Sequence, residues 1–377
     1  MTSGEKLFFF ILTLHFLVAN TVPLEFSLVP KINCHDLNGN GTPDYIALSK
    51  SNLPRTIYHV ELFSTKTEVL WQFHMPEGKK GYFVDMILDD FDNDDMIELI
   101  AIAYQDEGAE IFYIFSADAK GFYRDPPVIT ELNKAPFLIT NPRKLYPMSE
   151  DDSGRSMFLL VQGSPNRKVV ICEFLDHKII TRGSVGEKFL NNTMAPIDIS
   201  LGDFNADGSE DIFILDNGFV PSGYFIYSDG NEEEMALPDY PRLQNLYEKG
   251  IDINFDGSDD LVMINRNGEL MSDIWGTESM ALSDKKIQDI IINTNNGLVY
   301  ITTINQMGKV GNYSVDPLTR SILSSNFELP EFTTDYSQAY DLVTSQGIII
   351  THDGDEPEIW TTSLAQELIS SIPPLDY

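Results

Sequence analysis

The chain has 377 residues, and its 25 Lys and Arg face 58 Asp and Glu, a formal net charge of −33. An excess of that sign repels the phosphate backbone of nucleic acid and anionic lipid surfaces, which sets both aside as partners. The length leaves one or two domains open, because closed all-β folds of this size form single units.

The first residues, 1–6, end in a Lys and are followed by an apolar run, 7–19. That run is shorter than the roughly 20 residues a membrane span needs and fits a secretory signal. The expected organisation is a signal over 1–22 and a single exported unit over 23–377, secreted or periplasmic, with no later segment of membrane-spanning length. Only Cys34 and Cys172 are present. They do not make a disulfide framework, and each reads as a small buried apolar residue, pairing being the alternative. Asn40, Asn191 and Asn312 open glycosylation sequons, and Asn40 sits inside an acidic loop that argues against a glycan.

Along the rest of the chain, one acidic segment recurs four times. Its copies carry Asp36, Asn38, Asn40 and Asp44; Asp90, Asp92, Asp94 and Glu98; Asp203, Asn205, Asp207 and Asp211; and Asp252, Asn254, Asp256 and Asp260. They start at 36, 90, 203 and 252, so the spacings are 54, 113 and 49 residues. A degenerate copy at 150–154 fits the double gap. Short Ile-, Val-, Leu- and Phe-rich runs flank the loops, for example 84–88 and 99–103, or 197–201 and 212–215, and read as strands. The same pattern continues without acids at 287–300 and 340–351. About seven units of about 50 residues result, each the size of four antiparallel strands. This predicts an all-β propeller, most simply of seven blades, with a two-domain β-sandwich array as the rival. A turn or two of helix is expected near 364–369. Residues 23–28 are expected to add a closing strand beside 358–362.

Asp or Asn at positions 1, 3 and 5 of such a loop, a backbone carbonyl at position 7 and a carboxylate at position 9 supply the oxygen ligands that calcium prefers. Gly41, Gly208 and Gly257 occupy position 6, where the chain reverses, and Asp95 replaces them in the second copy. An EF-hand requires a Glu at position 12, whereas this chain has Ala47, Ala101, Ile214 and Met263. EF-hands are therefore excluded. Positions 1, 3, 5 and 9 carry two acids in the first loop, four in the second and three in each of the others, which predicts that the first binds calcium most weakly. A metal-free alternative is an Asx-turn hairpin held by its own side chains.

These four loops resemble the calcium loops of FG-GAP and VCBS-type repeats, the family that includes integrin α-subunit propellers. The resemblance implies up to four bound Ca2+ ions, loops joining the first and second strands of a blade, and a ring that serves as an adhesive or ligand-binding platform. A clear Phe-Gly…Gly-Ala-Pro segment is absent, which puts the chain nearer the VCBS-like branch.

No nucleophile elbow, phosphate-binding Gly-Lys loop, Cys-x-x-Cys pair or His-Glu-x-x-His helix occurs. His35, His59, His74, His177 and His352 read as surface or strand residues, and Trp71, Trp360 and the tyrosines as blade packing. The functional expectation is a non-catalytic extracellular module binding a protein or carbohydrate. The alternative is a secreted polysaccharide-active lyase or hydrolase using a carboxylate pair.

Overall fold

A computed structural model describes the chain between Asn20 and Thr362, with breaks at connecting segments that include 24–27, 36, 39–43, 50–54, 106–108, 119–122, 150–155, 191–194, 236–242, 281–286 and 329–335. For Asn20–Pro23, Leu28–His35 and most of the last third, the description concerns the backbone.

Among the described residues, the strands group into seven four-stranded antiparallel sheets. Sheet 1 contains Leu28–His35, Asp44–Ser49, Thr56–Phe63 and Lys66–His74. Sheet 2 contains Gly81–Asp89, Glu98–Gln105, Ala109–Phe115 and Val128–Glu131. Sheet 3 follows with Pro142–Pro147, Met157–Gln162, Lys168–Leu175 and Lys178–Val185. Sheet 4 has Ile197–Gly202, Asp211–Asp216, Ser222–Ile226 and Glu232–Met235. Sheet 5 has Leu243–Leu246, Val262–Asn265, Leu270–Ser272 and Ser279–Met280. Sheet 6 runs from Ile287–Asn295 to Ser321–Glu328.

The seventh sheet is composite. Tyr336–Asp341, Gln346–Thr351 and Glu358–Thr362 are completed by Asn20–Pro23, in the register Asn20↔Thr361 to Pro23↔Glu358. The closing strand thus pairs with the expected partner but lies at 20–23 rather than 23–28, and its first three residues fall within the segment 1–22 read as a signal. Asn20–Pro23 supplies the outer strand of that sheet, so segments from opposite ends of the sequence are tied together where the ring closes.

The first strands of neighbouring sheets lie side by side: Gly81–Asp89 beside Pro142–Pro147, Ile197–Gly202 beside Leu243–Leu246, and Leu28–His35 beside both Gly81–Asp89 and Tyr336–Asp341. Strands that start such a sheet therefore face the axis, and the sheets radiate outward. Each sheet packs its faces against two neighbours, so its second strand loses the polar alternation of a half-exposed strand. Asp211–Asp216 is buried at all six positions, and the first six of Glu98–Gln105 are buried.

The core is a series of inter-sheet clusters. Ile46, Ile57, Phe83, Leu99, Tyr113 and Phe115 join sheets 1 and 2, with Trp71 packed edge-on against Phe115. Ile100, Phe112, Phe158 and Cys172 join sheets 2 and 3. Leu159, Val161, Ile199, Ile212 and Ile214 join sheets 3 and 4, and Phe213, Leu215, Leu246 and Met263 join sheets 4 and 5. Cys172 is free and fully buried, as expected of a small apolar residue; the Cys34 side chain lies outside the described residues. A buried ion pair also crosses from sheet 3 to sheet 4, where Arg167 donates to both carboxylate oxygens of Asp216 at 3.0 and 3.1 Å.

Among the described residues the only helical element is the 3-10 turn Asp273–Trp275. None is a helix long and apolar enough to cross a membrane. The helix expected near 364–369, the degenerate loop at 150–154, His177 and His352 lie outside the described residues.

Candidate metal centres in the acidic loops

All four loops connect the first strand of a sheet to its second, in sheets 1, 2, 4 and 5. In the first, Asp36, Asn40 and Gly41 lie outside the described residues, so only Asn38 and Asp44 can be placed. The other three share one backbone path. Position 4 has positive φ in each, Asn93 (56°), Ala206 (58°) and Phe255 (62°), and so does position 6, Asp95 (65°), Gly208 (85°) and Gly257 (95°). Two left-handed residues two apart reverse the chain tightly at the tip of each loop.

The side chains at positions 1 and 5 hold that path. The position 1 carboxylate accepts the position 5 and position 6 amides: Asp94 and Asp95 donate to Asp90, Asp207 and Gly208 to Asp203, Asp256 and Gly257 to Asp252, all at 2.8–3.1 Å. The position 7 amides of Met96, Ser209 and Ser258 donate to the position 5 carboxylates at 2.8–3.0 Å. A carboxylate has about four lone-pair sites, so an oxygen that accepts one amide keeps capacity for a cation.

Position 9 performs the same act in all four copies. One oxygen of Asp44, Glu98, Asp211 and Asp260 accepts the position 2 amide, from Leu37, Phe91, Phe204 and Ile253, at 2.8, 2.9, 3.1 and 3.0 Å. All four carboxylates are buried, with exposures of 0, 1, 0 and 4%. The expected shell-closing acid is thus also the bond that zips the hairpin.

Electrostatically these acids are crowded. In the loop 90–98, one ligand atom from each of Asp90, Asp92 and Glu98 lies within 4.8 Å of the others. Burial, and next the Asp92 charge, push Glu98 up to about 8. Burial, and next the Asp273 charge, push Asp260 up to about 7. Burial also raises Asp211, while Asp207 at the exposed tip is held below the usual range, first by its bond from Asn205. A buried carboxylate facing like charges is costly until a cation joins it. The donor set is all oxygen, flexible and rich in carboxylate, which fits calcium and no softer metal.

Sequence reasoning missed several residues that support these loops. His59 is on a strand, one of the two places expected for it, but it is fully buried there, and its Nε2 donates to Asp44 Oδ1 at 3.0 Å. The Ser228 amide bonds Asp211 Oδ1 at 2.8 Å, and Asp273 takes the Leu261 amide at 2.9 Å beside Asp260. His74, on the exposed end of its strand, bonds Thr56 at 2.9 Å. Partners 12 or more residues away leave no local signal.

A cleft of about 1440 Å3 opens on the same side, between sheets 3 and 4 and the axis. Its floor includes Leu145, Ile171, Val185, Leu201 and Ile212, and its acidic rim is formed by Asp89, Asp90, Asp203, Glu210, Glu248 and Asp259.

No protein-family model matches the chain, and no curated protein matches it. Solved structures do. One is the crystal structure of BBS1N in complex with ARL6DN, at 11% identity and a TM-score of 0.53, over 88% of this chain and 92% of that one. The Dos1 propeller matches at 12% identity and 0.50, over 84% and 75%. The exotype rhamnogalacturonan lyase YesX matches at 13% identity and 0.50, over 91% and 76%. At such identities the likeness speaks for architecture alone, and together with the radial sheets it establishes that this chain is a β-propeller.

Proposed function

We infer that the chain is a calcium-stabilised propeller whose loops are structural metal sites and whose ring is an extracellular platform for a protein or carbohydrate ligand. The observation that carries the metal reading is the common backbone of the loops 90–98, 203–211 and 252–260, each with a buried position 9 carboxylate, together with the convergence of Asp90, Asp92 and Glu98 in the first of them. Its kinship is with FG-GAP and VCBS-type repeats, on the strength of the loops. The chemistry a cation supplies there is neutralisation: it lets Glu98, Asp211 and Asp260 ionise in place and ties the first two strands of each sheet together.

Of the similar propellers, one is titled as a complex with another protein and one as a lyase, so the fold is compatible with either role. The binding role is preferred because the acids around the cleft belong mostly to the loops and their neighbours, where they serve the backbone. Calorimetric titration of the chelator-treated chain with calcium tests the metal reading, and an absence of binding heat together with an unchanged melting temperature overturns it. A glycan and protein array probed with and without chelator tests the platform.

A further inference from the structure

Position 8 of the loops, between the carbonyl of position 7 and the acid of position 9, is outside the ligand pattern. In three successive sheets it reaches across to the start of the preceding sheet's loop. Asp259 Oδ2 accepts the Asp203 amide at 2.8 Å, and the Asp259 amide donates back to the Asp203 carbonyl at 2.8 Å. With Gly154 aligned to position 6, the degenerate copy extends to Ser149 at position 1 and Ser156 at position 8, and Glu210 Oε2 accepts the amide of Ser149 at 2.8 Å. Ser156, at position 8 of that copy, donates its hydroxyl to the Asp90 carbonyl at 3.1 Å. The result is a belt from sheet 2 to sheet 5 in which each loop holds the first residue of its neighbour.

The belt is tightest where two complete acidic loops adjoin. Ser258 Oγ donates to the Phe204 carbonyl at 2.7 Å, and the Gly250 amide to the Leu201 carbonyl at 2.6 Å. A Cβ at Gly202 would stand 2.8 Å from Asp259 Oδ2 and 3.0 Å from the Gly250 Cα, so the two chain segments are in direct backbone contact. Asp203 is both the first ligand of one loop and the residue gripped by position 8 of the next.

We propose that the loops 203–211 and 252–260 bind their cations cooperatively, with Asp259 as the coupling residue. This rests on the calcium reading given above. A cation held by the Ser258 carbonyl and Asp260 fixes positions 7–9 of its loop. That fixes Asp259 and Ser258, which orient Asp203 and Phe204, so the second cation meets a loop whose ordering cost has already been met. Coupling is reciprocal, and filling the loop 203–211 must favour the other by the same factor.

The test uses the full chain, labelled with 15N-glycine and titrated with calcium. Gly208 and Gly257 amides report the two sites separately, because each donates to the position 1 carboxylate of its own loop, at 2.8 and 2.9 Å. Asp256→Ala, which removes a ligand from the loop 252–260, is expected to weaken the midpoint read at Gly208 by about five-fold or more. Asp259→Ala, which removes no ligand, is expected to weaken Gly208 similarly and to flatten both isotherms to single-site steepness. An unchanged Gly208 midpoint in Asp259→Ala overturns the coupling, and this arm stands even if Asp256→Ala does not fold. If neither glycine responds to calcium in the unaltered chain, the metal reading itself has failed, a result distinct from two independent sites.

Discussion

Replacing Glu98 by Gln separates a metal site from a self-sufficient hairpin, because the two readings predict opposite signs. The carboxyl is 1% exposed, accepts the Phe91 amide at 2.9 Å and lies close to ligand atoms of Asp90 and Asp92. Its pKa of about 8 against an ordinary 4.5 means that the metal-free native state resists ionising it. For an acid raised on folding, the contribution to stability is full below about 4.5 and is lost as pH rises through 8. At pH 7 the difference of 2.5 units from 4.5, at 1.36 kcal/mol each, costs about 3 kcal/mol. Gln keeps the acceptor for Phe91 and cannot ionise.

In chelator at pH 7, Glu98→Gln should therefore unfold later than the unaltered chain. With an unfolding entropy of roughly 2.1 cal/mol/K per residue over this length, about 3 kcal/mol corresponds to roughly 4 °C. In millimolar calcium the order should reverse, since the unaltered site gains a ligand charge that the amide lacks. Differential scanning calorimetry at pH 5, 7 and 8.5, with chelator or calcium, reads both effects. A variant that is destabilised equally in chelator and in calcium, at every pH, would refute the electrostatic argument.

Arg167→Ala should destabilise the chain by about 3–5 kcal/mol by stranding the buried Asp216 carboxylate, and Arg167→Met with Asp216→Leu should recover most of it, both read by denaturant unfolding. His59→Ala should cost about 1–3 kcal/mol by removing a donor from fully buried Asp44, and urea titration measures it. Phe255 is 44% exposed at φ 62°, a conformation that Asn93 occupies in the equivalent position; Phe255→Asn should raise thermal stability by about 1 kcal/mol. A lower melting temperature for that variant would mean that the ring makes a contact worth more than the backbone strain.

What the sequence determined by itself is local. Asp90 to Glu98 and its counterparts span nine residues, and the bonds that give them their common path, from position 1 to 5 and 6, from 5 to 7 and from 9 to 2, close inside that window. The flanking strands were legible for the same reason: 157–161 and 212–215 are continuous apolar runs because their sheets are covered on both faces. The roughly 50-residue period conveyed the four-stranded unit, since each unit repeats the same burial problem.

Tertiary structure decided how the units meet. Asn20–Pro23 finds Glu358–Thr362 across nearly the whole chain, and neither segment states that choice in its composition. His59 reaches Asp44, and Arg167 reaches Asp216, through sheet packing that no spacing rule encodes. In the sequence, Asp259 and Glu210 are two further charges inside acidic loops. They became inter-sheet bonds only because the axis brings position 8 of one loop within reach of position 1 of the loop before it, where a backbone amide can donate to its carboxylate.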